Sequence, residues 1–349
     1  MLDLDSEIKR WTAKLSARIR NPSSLAAATK YVTDFVSRNL PPIFDFEHLS
    51  ALVGVERSVL AQILDCPEHY YNEFSIPKNS GGSRTILSPQ PSLKIIQDWI
   101  KSNILDFIPI SPAAHGFVKQ RSVVTFAKEH AGKSSLLHLD IKNFFPSIKL
   151  QSIYGIFRNI GYPPNVSFYL TKICTYEGAL PQGAPTSPSL SNIFSLSMDK
   201  RLLGLASANH IVFSRYADNL VLSGDYVAFS LVKTIEDILA EYGLLLNHKK
   251  TYLSTRRGKR VIVGVSVTDK EIKLPRNKKR EIRQEIYFLL KNGFFVHTEK
   301  IGKRDPLYME RLYGRLQFWR HLEPQNEFVL RSLDALREFQ NSPIWQSNS

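Results

Sequence analysis

The sequence is poor in cysteine and contains no long apolar run. Its 349 residues include two cysteines, Cys66 and Cys174, which lie far apart and outside any CxxC pattern or His/Cys cluster. A disulfide framework and a zinc site are therefore not expected, and a reducing compartment fits. No run reaches the roughly 18 apolar residues of a membrane span. The first seven residues are acidic, unlike a signal peptide, so we expect a soluble cytoplasmic protein with no membrane partner.

Acidic residues are also scarce relative to basic ones. Lysine and arginine number 46 against 32 aspartates and glutamates, which gives a net charge of +14. Between Lys249 and Arg315 there are 19 basic and 7 acidic residues, so that segment alone carries +12. A solvated basic surface is one explanation of a high net charge. The concentration of charge in one segment instead favours a polyanionic partner, most often nucleic acid.

The pattern of apolar residues divides the chain into distinct regions. Apolar residues recur at three- and four-residue intervals through residues 1–66, which predicts helices. Two short extended runs around residues 79–82 predict a β-hairpin. Further strands are predicted at 136–141, 210–224 and 260–267. Helices are predicted between these strands, and one of them covers residues 188–207. Strands and helices without regular alternation predict an α+β core, and a helical lobe follows it.

Two aspartates end or interrupt hydrophobic strands. Asp140 follows the run from Leu136 to Leu139, and Asp218 lies at the tip of the hairpin predicted over 210–224. Either one alone is more often a turn residue than a ligand. A sheet could bring both to one edge, where two carboxylates repel each other unless a cation intervenes. Such oxygen ligands suit Mg²⁺, and a pair of metal ions supports phosphoryl transfer.

The residues around these acids resemble the conserved motifs of reverse transcriptases, which are RNA-directed DNA polymerases. The segment from Asp140 to Ile148 resembles the first palm motif, and Leu180 to Pro188 resembles the second. The segment from Tyr216 to Asn219 is similar to the tyrosine-x-Asp-Asp hairpin, and Gly243 to Thr251 to the motif after it. Their order and spacing agree with the family, and the similarity covers roughly residues 70 to 320.

The resemblance implies a right-hand polymerase with fingers, an antiparallel palm sheet, a helical thumb and a helical N-terminal extension. The implied boundaries are residues 1–66 for the extension, 67–135 for the fingers, 136–270 for the palm and 271–349 for the basic thumb. Part of the fingers would be inserted into the palm near residues 150–185.

The resemblance also implies the residues that carry the chemistry. Asp140 and Asp218 would be catalytic, and Lys250 would protonate the departing pyrophosphate as a general acid. Two Mg²⁺ ions, or Mn²⁺ in their place, would be held at Asp140, Ile141, Asp218 and Asn219.

The incoming nucleotide would meet residues of the fingers and palm. Lys78 and Arg84 flank a glycine-rich turn and would reach the triphosphate. Phe145, next to Phe144, corresponds to the family's steric gate against a ribose 2′-hydroxyl. The second motif adds two further nucleotide-binding residues, Gln182 and Gly183.

Template and primer would lie against the palm and the basic thumb. Tyr216 and the primer grip around Gly264 would contact the strands near the site of reaction. The basic residues of the thumb would hold the duplex backbone through phosphate contacts. These residues are Arg276, Lys278, Lys279, Arg280, Arg283, Arg311 and Arg315.

Within the family the chain is most similar to the bacterial retron enzymes. The similarity includes Ile76 to Arg84, Leu93 to Ile100 and the turn from His115 to Phe117. It implies a structured non-coding RNA as template and primer, a DNA product made from dNTPs, a role in anti-phage defence and a possible effector protein.

Three segments depart from the retron pattern. The hairpin carries Asn219 in place of a second aspartate, residues 262–264 read Ile-Val-Gly in place of Val-Thr-Gly, and residues 126–130 read Phe-Ala-Lys-Glu-His in place of Asn-Ala-x-x-His. A divergent retron enzyme is favoured. The alternatives are a defence-associated reverse transcriptase outside the retrons and a weakened polymerase that acts as an RNA-binding scaffold. A decayed site would have lost several residues such as Arg84, Phe145 and Gln182, and all three are intact.

Overall fold

The computed structural model describes residues 4–77, 82–255, 260–268, 271–300 and 305–340. Four helices open the chain, as the apolar periodicity predicts. Asn21 and Asp45 cap two of them by accepting backbone N–H groups, and Gly54 ends the third in a left-handed conformation with a φ of 69°. The helices are α1 (Leu4–Ser16), α2 (Pro22–Val36), α3 (Phe46–Val53) and α4 (Arg57–Asp65).

The N-terminal helices pack on the centre of the molecule. Phe35 is buried in the main core, and its ring lies 4.7 Å from that of Tyr162. Arg38 donates from Nη2 to the carbonyl oxygen of Ile160 at 2.8 Å, and the Tyr162 hydroxyl donates to the carbonyl of Pro41 at 3.1 Å. These contacts join residues more than a hundred positions apart, so the N-terminal region braces the rest of the fold.

An exposed two-stranded ribbon follows. Strands β1 (Tyr71–Pro77) and β2 (Ser83–Pro89) pair antiparallel, as the sequence predicts, and their outer residues face solvent. The ribbon is fixed at its base, where the backbone N–H of Leu87 donates to the carbonyl of Gln182 at 2.8 Å. Helices α5 (Pro91–Asn103) and α6 (Val123–Glu129) come next.

A five-stranded antiparallel sheet forms the centre. Strand β3 pairs with β5 on one side and with both β6 and β7 on the other, while β4 lies beyond β5. Seven of the eight residues of β3 are buried, which fits a central strand covered on both faces. The strands are β3 (Ser135–Lys142), β4 (Val212–Tyr216), β5 (Asn219–Gly224), β6 (Leu245–Leu246) and β7 (Tyr252–Thr255).

Six helices surround this sheet, and one prediction needs correction. The single helix predicted over 188–207 is two helices that meet at Ser195. The Ser195 hydroxyl donates to the carbonyl of Ser191 at 2.9 Å, a type of contact that often bends helices. The helices are α7 (Phe144–Ser147), α8 (Leu150–Ile160), α9 (Pro164–Cys174), α10 (Ser187–Phe194), α11 (Leu196–Ala208) and α12 (Leu231–Glu241).

The C-terminal part has a small sheet and a helical lobe with its own core. Trp319 is fully buried at the centre of that core, which extends to Leu136 and Val221 of the main sheet. The α+β expectation is thus confirmed. The remaining elements are β8 (Val261–Ile262), β9 (Val265–Val267), β10 (Ile272–Lys273), α13 (Arg276–Asn292), α14 (Phe294–Lys300), α15 (Tyr308–Leu322) and α16 (Glu327–Gln340). Over the ranges described, none of the helices has the length and apolar character to cross a membrane.

A buried histidine joins the two strands of the β4–β5 hairpin. His130 is fully buried, and its two ring nitrogens lie 2.7 Å from the hydroxyls of Ser214 on β4 and Ser223 on β5. Burial lowers the pKa of His130 to about 3, so the ring is neutral. His130, which ends the divergent segment 126–130, therefore joins the two strands of the hairpin inside the fold.

Replacing His130→Gln should weaken the acid sensitivity of folding. The pKa of His130 is about 3 in the folded state against 6.5 for a free side chain. The unfolded chain therefore takes up a proton first as the pH falls, and wild-type stability falls with it. From pH 6.5 to 4.5 this residue accounts for about 2 to 3 kcal/mol of lost unfolding free energy, a loss absent from the variant. Urea unfolding at both pH values measures it; equal pH slopes for the two proteins would contradict the assignment.

Candidate active site

The two aspartates of the sequence analysis lie at one edge of the central sheet. The register of β3 against β5 sets Asp140 opposite Asn219, the residue after Asp218. The backbone N–H of Ile141 donates to the carbonyl oxygen of Asp218 at 2.8 Å, which fixes the hairpin tip beside the end of β3. The predicted meeting of the two carboxyl-bearing segments is present, and both Asp140 and Asp218 line the same cleft.

The turn that carries Asp218 is tight and closely packed. Ala217 has a φ of 53°, in the left-handed region that L-residues seldom adopt. Gly116 lies directly against it, since a Cβ atom on Gly116 would be 2.8 Å from the backbone nitrogen of Ala217. Asn192 donates from Nδ2 to the carbonyl of Gly116 at 2.9 Å and so holds the packing segment in place.

Asp140 has partners on both carboxylate oxygens. Lys250 donates from Nζ to Oδ2 at 2.8 Å, and Asn247 donates from Nδ2 to Oδ1 at 3.0 Å. The backbone N–H of Asn247 also donates to the carbonyl of Asp140 at 2.8 Å. Sequence reasoning missed Asn247, although it lies within the motif that pointed to Lys250.

The surroundings of Asp218 disfavour the charged form of its carboxyl. Burial raises its pKa, and the neighbouring charge of Asp140 raises it further, while Lys250 and Arg84 oppose that effect. Asn219 donates from Nδ2 to Oδ1 of Asp218 at 3.0 Å. The asparagine thus supplies a hydrogen bond where a second aspartate would add negative charge. A nearby cation would relieve the remaining repulsion.

The cleft above these residues has a volume of about 1280 Å³. Of the predicted nucleotide-binding residues, Arg84, Phe144, Phe145 and Gln182 line it. Gly183 has a φ of 133°, and a Cβ there would lie 2.5 Å from the carbonyl oxygen of Leu87, so the approach of the ribbon requires glycine. Lys78 lies outside the described residues. Ile141, Tyr216 and Asn219 also line the cleft.

Three aromatic rings meet on one wall. Phe117 is half exposed in a left-handed conformation with a φ of 62°. Its ring centroid lies 6.2 Å from that of Phe145 and 6.3 Å from that of Tyr216. Sequence reasoning used Phe117 for the family resemblance only, and its position in the cleft required the fold.

The predicted nucleic-acid-binding residues from Gly264 onwards do not line this cleft, although Gly264 adjoins it. The turn between β8 and β9 brings Val263 to the cleft wall, with Gly264 beside it at a φ of 82°. On α13, Arg276 and Arg280 are exposed, and Arg283 lies over the Trp319 ring. Four others form ion pairs with acidic neighbours, namely Lys278, Lys279, Arg311 and Arg315. Their role in binding stays a prediction.

The donor set suits a metal ion shared with a substrate. Among the described residues, no cluster of three or more histidine, cysteine, aspartate or glutamate side chains could hold a metal ion alone. Two carboxylates beside a large open cleft would need further oxygen ligands. Mg²⁺ commonly takes those from substrate phosphates and water.

Comparison with known proteins identifies the class. A family model described as reverse transcriptase (RNA-dependent DNA polymerase) matches residues 76–284. The Retron Ec86 reverse transcriptase of Escherichia coli is 33% identical over 272 residues, which cover 75% of this chain and 84% of that one. The Retron Mx65 reverse transcriptase of Myxococcus xanthus is 29% identical over 350 residues, covering 91% and 79%. A telomerase structure from Candida albicans is 11% identical with a TM-score of 0.45, covering 77% and 63%.

The chain belongs to the reverse transcriptases and is an RNA-directed DNA polymerase. Within that family it is of the retron type, as the curated relatives are. The family assignment expected from the four motifs is therefore confirmed.

Replacing Gly116→Ala should slow DNA synthesis by displacing the turn that carries Asp218, if that residue is catalytic as expected. The added methyl group would overlap the backbone of Ala217, so one of the two segments must move. A displacement on the order of 1 Å costs about 100-fold in rate when it reaches reacting groups. Single-turnover primer extension on an RNA template measures it.

Gly204→Ala is the matched control, because Gly204 lies in α11 with no atom within 4 Å of an added Cβ. Its rate should equal that of the wild type. Equal rates for both alanine variants would show that the packing of residue 116 on the hairpin has no bearing on catalysis.

Proposed function

We propose that the chain synthesises DNA by two-metal phosphoryl transfer, with Asp140 and Asp218 as the metal-binding carboxylates. The observation that supports this most is that both carboxylates line one cleft, Asp140 from β3 and Asp218 from the turn between β4 and β5. Bound Mg²⁺ would make the primer 3′-hydroxyl a better nucleophile and offset charge on the leaving pyrophosphate. Ile141 and Asn219 adjoin these carboxylates and are candidates for the same coordination sphere, in which Mn²⁺ could replace Mg²⁺.

Lys250 is proposed to have one role before substrate binds and another after it has bound. Its ammonium pairs with Asp140 at 2.8 Å, and its side chain is 53% exposed to the cleft. The pair offsets the charge of the carboxylate before substrate arrives. With a metal ion bound at that carboxylate, the ammonium of Lys250 would be able to turn towards the pyrophosphate and donate a proton as a general acid.

The proposed nucleotide position lies between the ribbon and the sheet. Arg84 is exposed on the ribbon, lines the cleft and lies near enough to Asp218 to affect its pKa. Its planar guanidinium suits a triphosphate. Gln182 and Phe145 line the same cleft and are proposed to contact the sugar and base. Lys78 is proposed to act with Arg84.

The proposed template is a structured non-coding RNA that also supplies the primer, in an anti-phage defence system. The retron relatives and the basic segment from Lys249 to Arg315 support an RNA partner of this kind. An effector protein would be a further partner. The alternative, a weakened polymerase that acts as an RNA-binding scaffold, is favoured by one observation, that Asn219 removes a carboxylate from the hairpin.

The aspartate variants separate these functions. Asp140→Ala and Asp218→Ala should each lower the rate of dNTP incorporation roughly 1000-fold or more, because each removes a metal ligand. Asn219→Asp should be tolerated or accelerate synthesis, since it adds a ligand oxygen with charge. The assay is Mg²⁺-dependent extension with co-expressed RNA. DNA synthesis that is absent in the wild type, or unaffected by the alanine variants, would favour the scaffold.

Phe145→Ala should admit ribonucleotides. The side chain lines the cleft, and its bulk would clash with a 2′-hydroxyl, a repulsive form of selection. The preference for dNTP over rNTP in kcat/KM should fall by about 100-fold, mainly through faster rNTP incorporation. Phe229→Ala, at an exposed position outside the cleft lining, is the control. If Phe145→Ala keeps the wild-type preference for dNTP over rNTP, Phe145 is not the steric gate.

A further inference from the structure

A fully buried ion pair lies behind the catalytic hairpin. Arg215 on β4 and Asp199 on α11 both have 0% side-chain exposure. Arg215 donates from Nε to one carboxylate oxygen and from Nη2 to the other, each at 2.8 Å. Such a two-pronged arrangement fixes the guanidinium plane as well as its position.

The guanidinium has a third contact, and this one reaches the catalytic turn. Nη1 of Arg215 lies 3.3 Å from the carbonyl oxygen of Ala217 and donates to it. That carbonyl belongs to the peptide group that leads into Asp218. The left-handed φ of 53° at Ala217 is an unfavourable conformation that the surroundings must maintain.

The backbone of Arg215 is held by the segment from Ala113 to His115. Its N–H donates to the carbonyl of Ala113 at 2.7 Å, and its own carbonyl accepts the N–H of His115 at 2.8 Å. Backbone and side chain are thus both anchored, so the guanidinium has little freedom to follow a moving turn.

A buried ion pair of this kind is expected to add little to the free energy of unfolding. Removing two charges from water costs about as much as their attraction returns, and apolar residues of similar volume often serve a core equally well. What an apolar pair cannot supply is a donor to the Ala217 carbonyl. The geometry therefore connects the buried charges with the position of Asp218.

We propose that Asp199 and Arg215 are positioning residues that hold the peptide group before Asp218, and with it the carboxylate, in place for nucleotide transfer. The proposal rests on the proposed role of Asp218. The pair touches no substrate, and it acts through the Ala217 carbonyl.

Two variants test it in the full-length protein. Arg215→Lys keeps a positive charge beside Asp199 but cannot reproduce the planar three-way contact. The double variant Asp199→Leu with Arg215→Met removes both charges and keeps the volume. The double variant should fold with a melting temperature near that of the wild type, and Arg215→Lys should fold with a lower one. In both, kcat should fall about 10- to 100-fold, with the KM for dNTP changed by less than about threefold. The Mg²⁺ concentration for half-maximal rate should rise.

The matched control is the pair Arg201–Glu241, which also begins on α11 and is also two-pronged but lies on the surface. Arg201→Gln with Glu241→Gln should leave kcat and the Mg²⁺ requirement unchanged. A folded Arg215→Lys protein with wild-type kcat would overturn the proposal, and so would loss of folding in both test variants, which would assign the pair to stability. If Asp218→Ala keeps the wild-type rate, the proposed function itself fails. If Asp218→Ala is inactive while Arg215→Lys keeps the wild-type rate, only the positioning role fails.

Discussion

The site depends on the hydrogen-bonded register between β3 and β5. It sets Asp140 opposite Asn219 and lets the N–H of Ile141 bond to the carbonyl of Asp218, so two carboxyl groups from distant parts of the chain lie at one edge. A shift of one residue would turn every side chain of β3 to the other face and separate them. The buried apolar residues of β3 make that shift costly, and His130 adds a polar bond to each strand of the hairpin.

Placing two carboxyls together creates an electrostatic problem that the neighbouring residues answer. Lys250 and Asn247 satisfy the two oxygens of Asp140, and Asn219 donates to Asp218. The pKa of Asp218 is raised, first by burial and then by the charge of Asp140. A cation bound beside the two carboxylates would offset this repulsion and would attract an anionic substrate in turn.

Local features of this structure could be predicted from the sequence, whereas several tertiary contacts could not. The hairpins, the α+β class and the family followed from strand-ending acids and from motifs in the right order, because these are local patterns. The break at Ser195 lies inside a continuous helical pattern of apolar residues, so the sequence did not reveal it. Gly116, Phe117 and Asn192 reach the hairpin only through tertiary packing. The buried charge of Arg215 was also hidden, because in sequence it looks like any arginine beside a turn.

The most direct measurement is a crystal structure of the protein with an RNA template, a dideoxy-terminated primer, a matching dNTP and Mn²⁺, in which anomalous scattering locates the metal ions. Two Mn²⁺ ions bound by the carboxylates of Asp140 and Asp218 and by the triphosphate are expected, with Nζ of Lys250 moved away from Asp140. Metal ions bound elsewhere, with Lys250 still paired to Asp140, would contradict the assignment of these two carboxylates as the metal site.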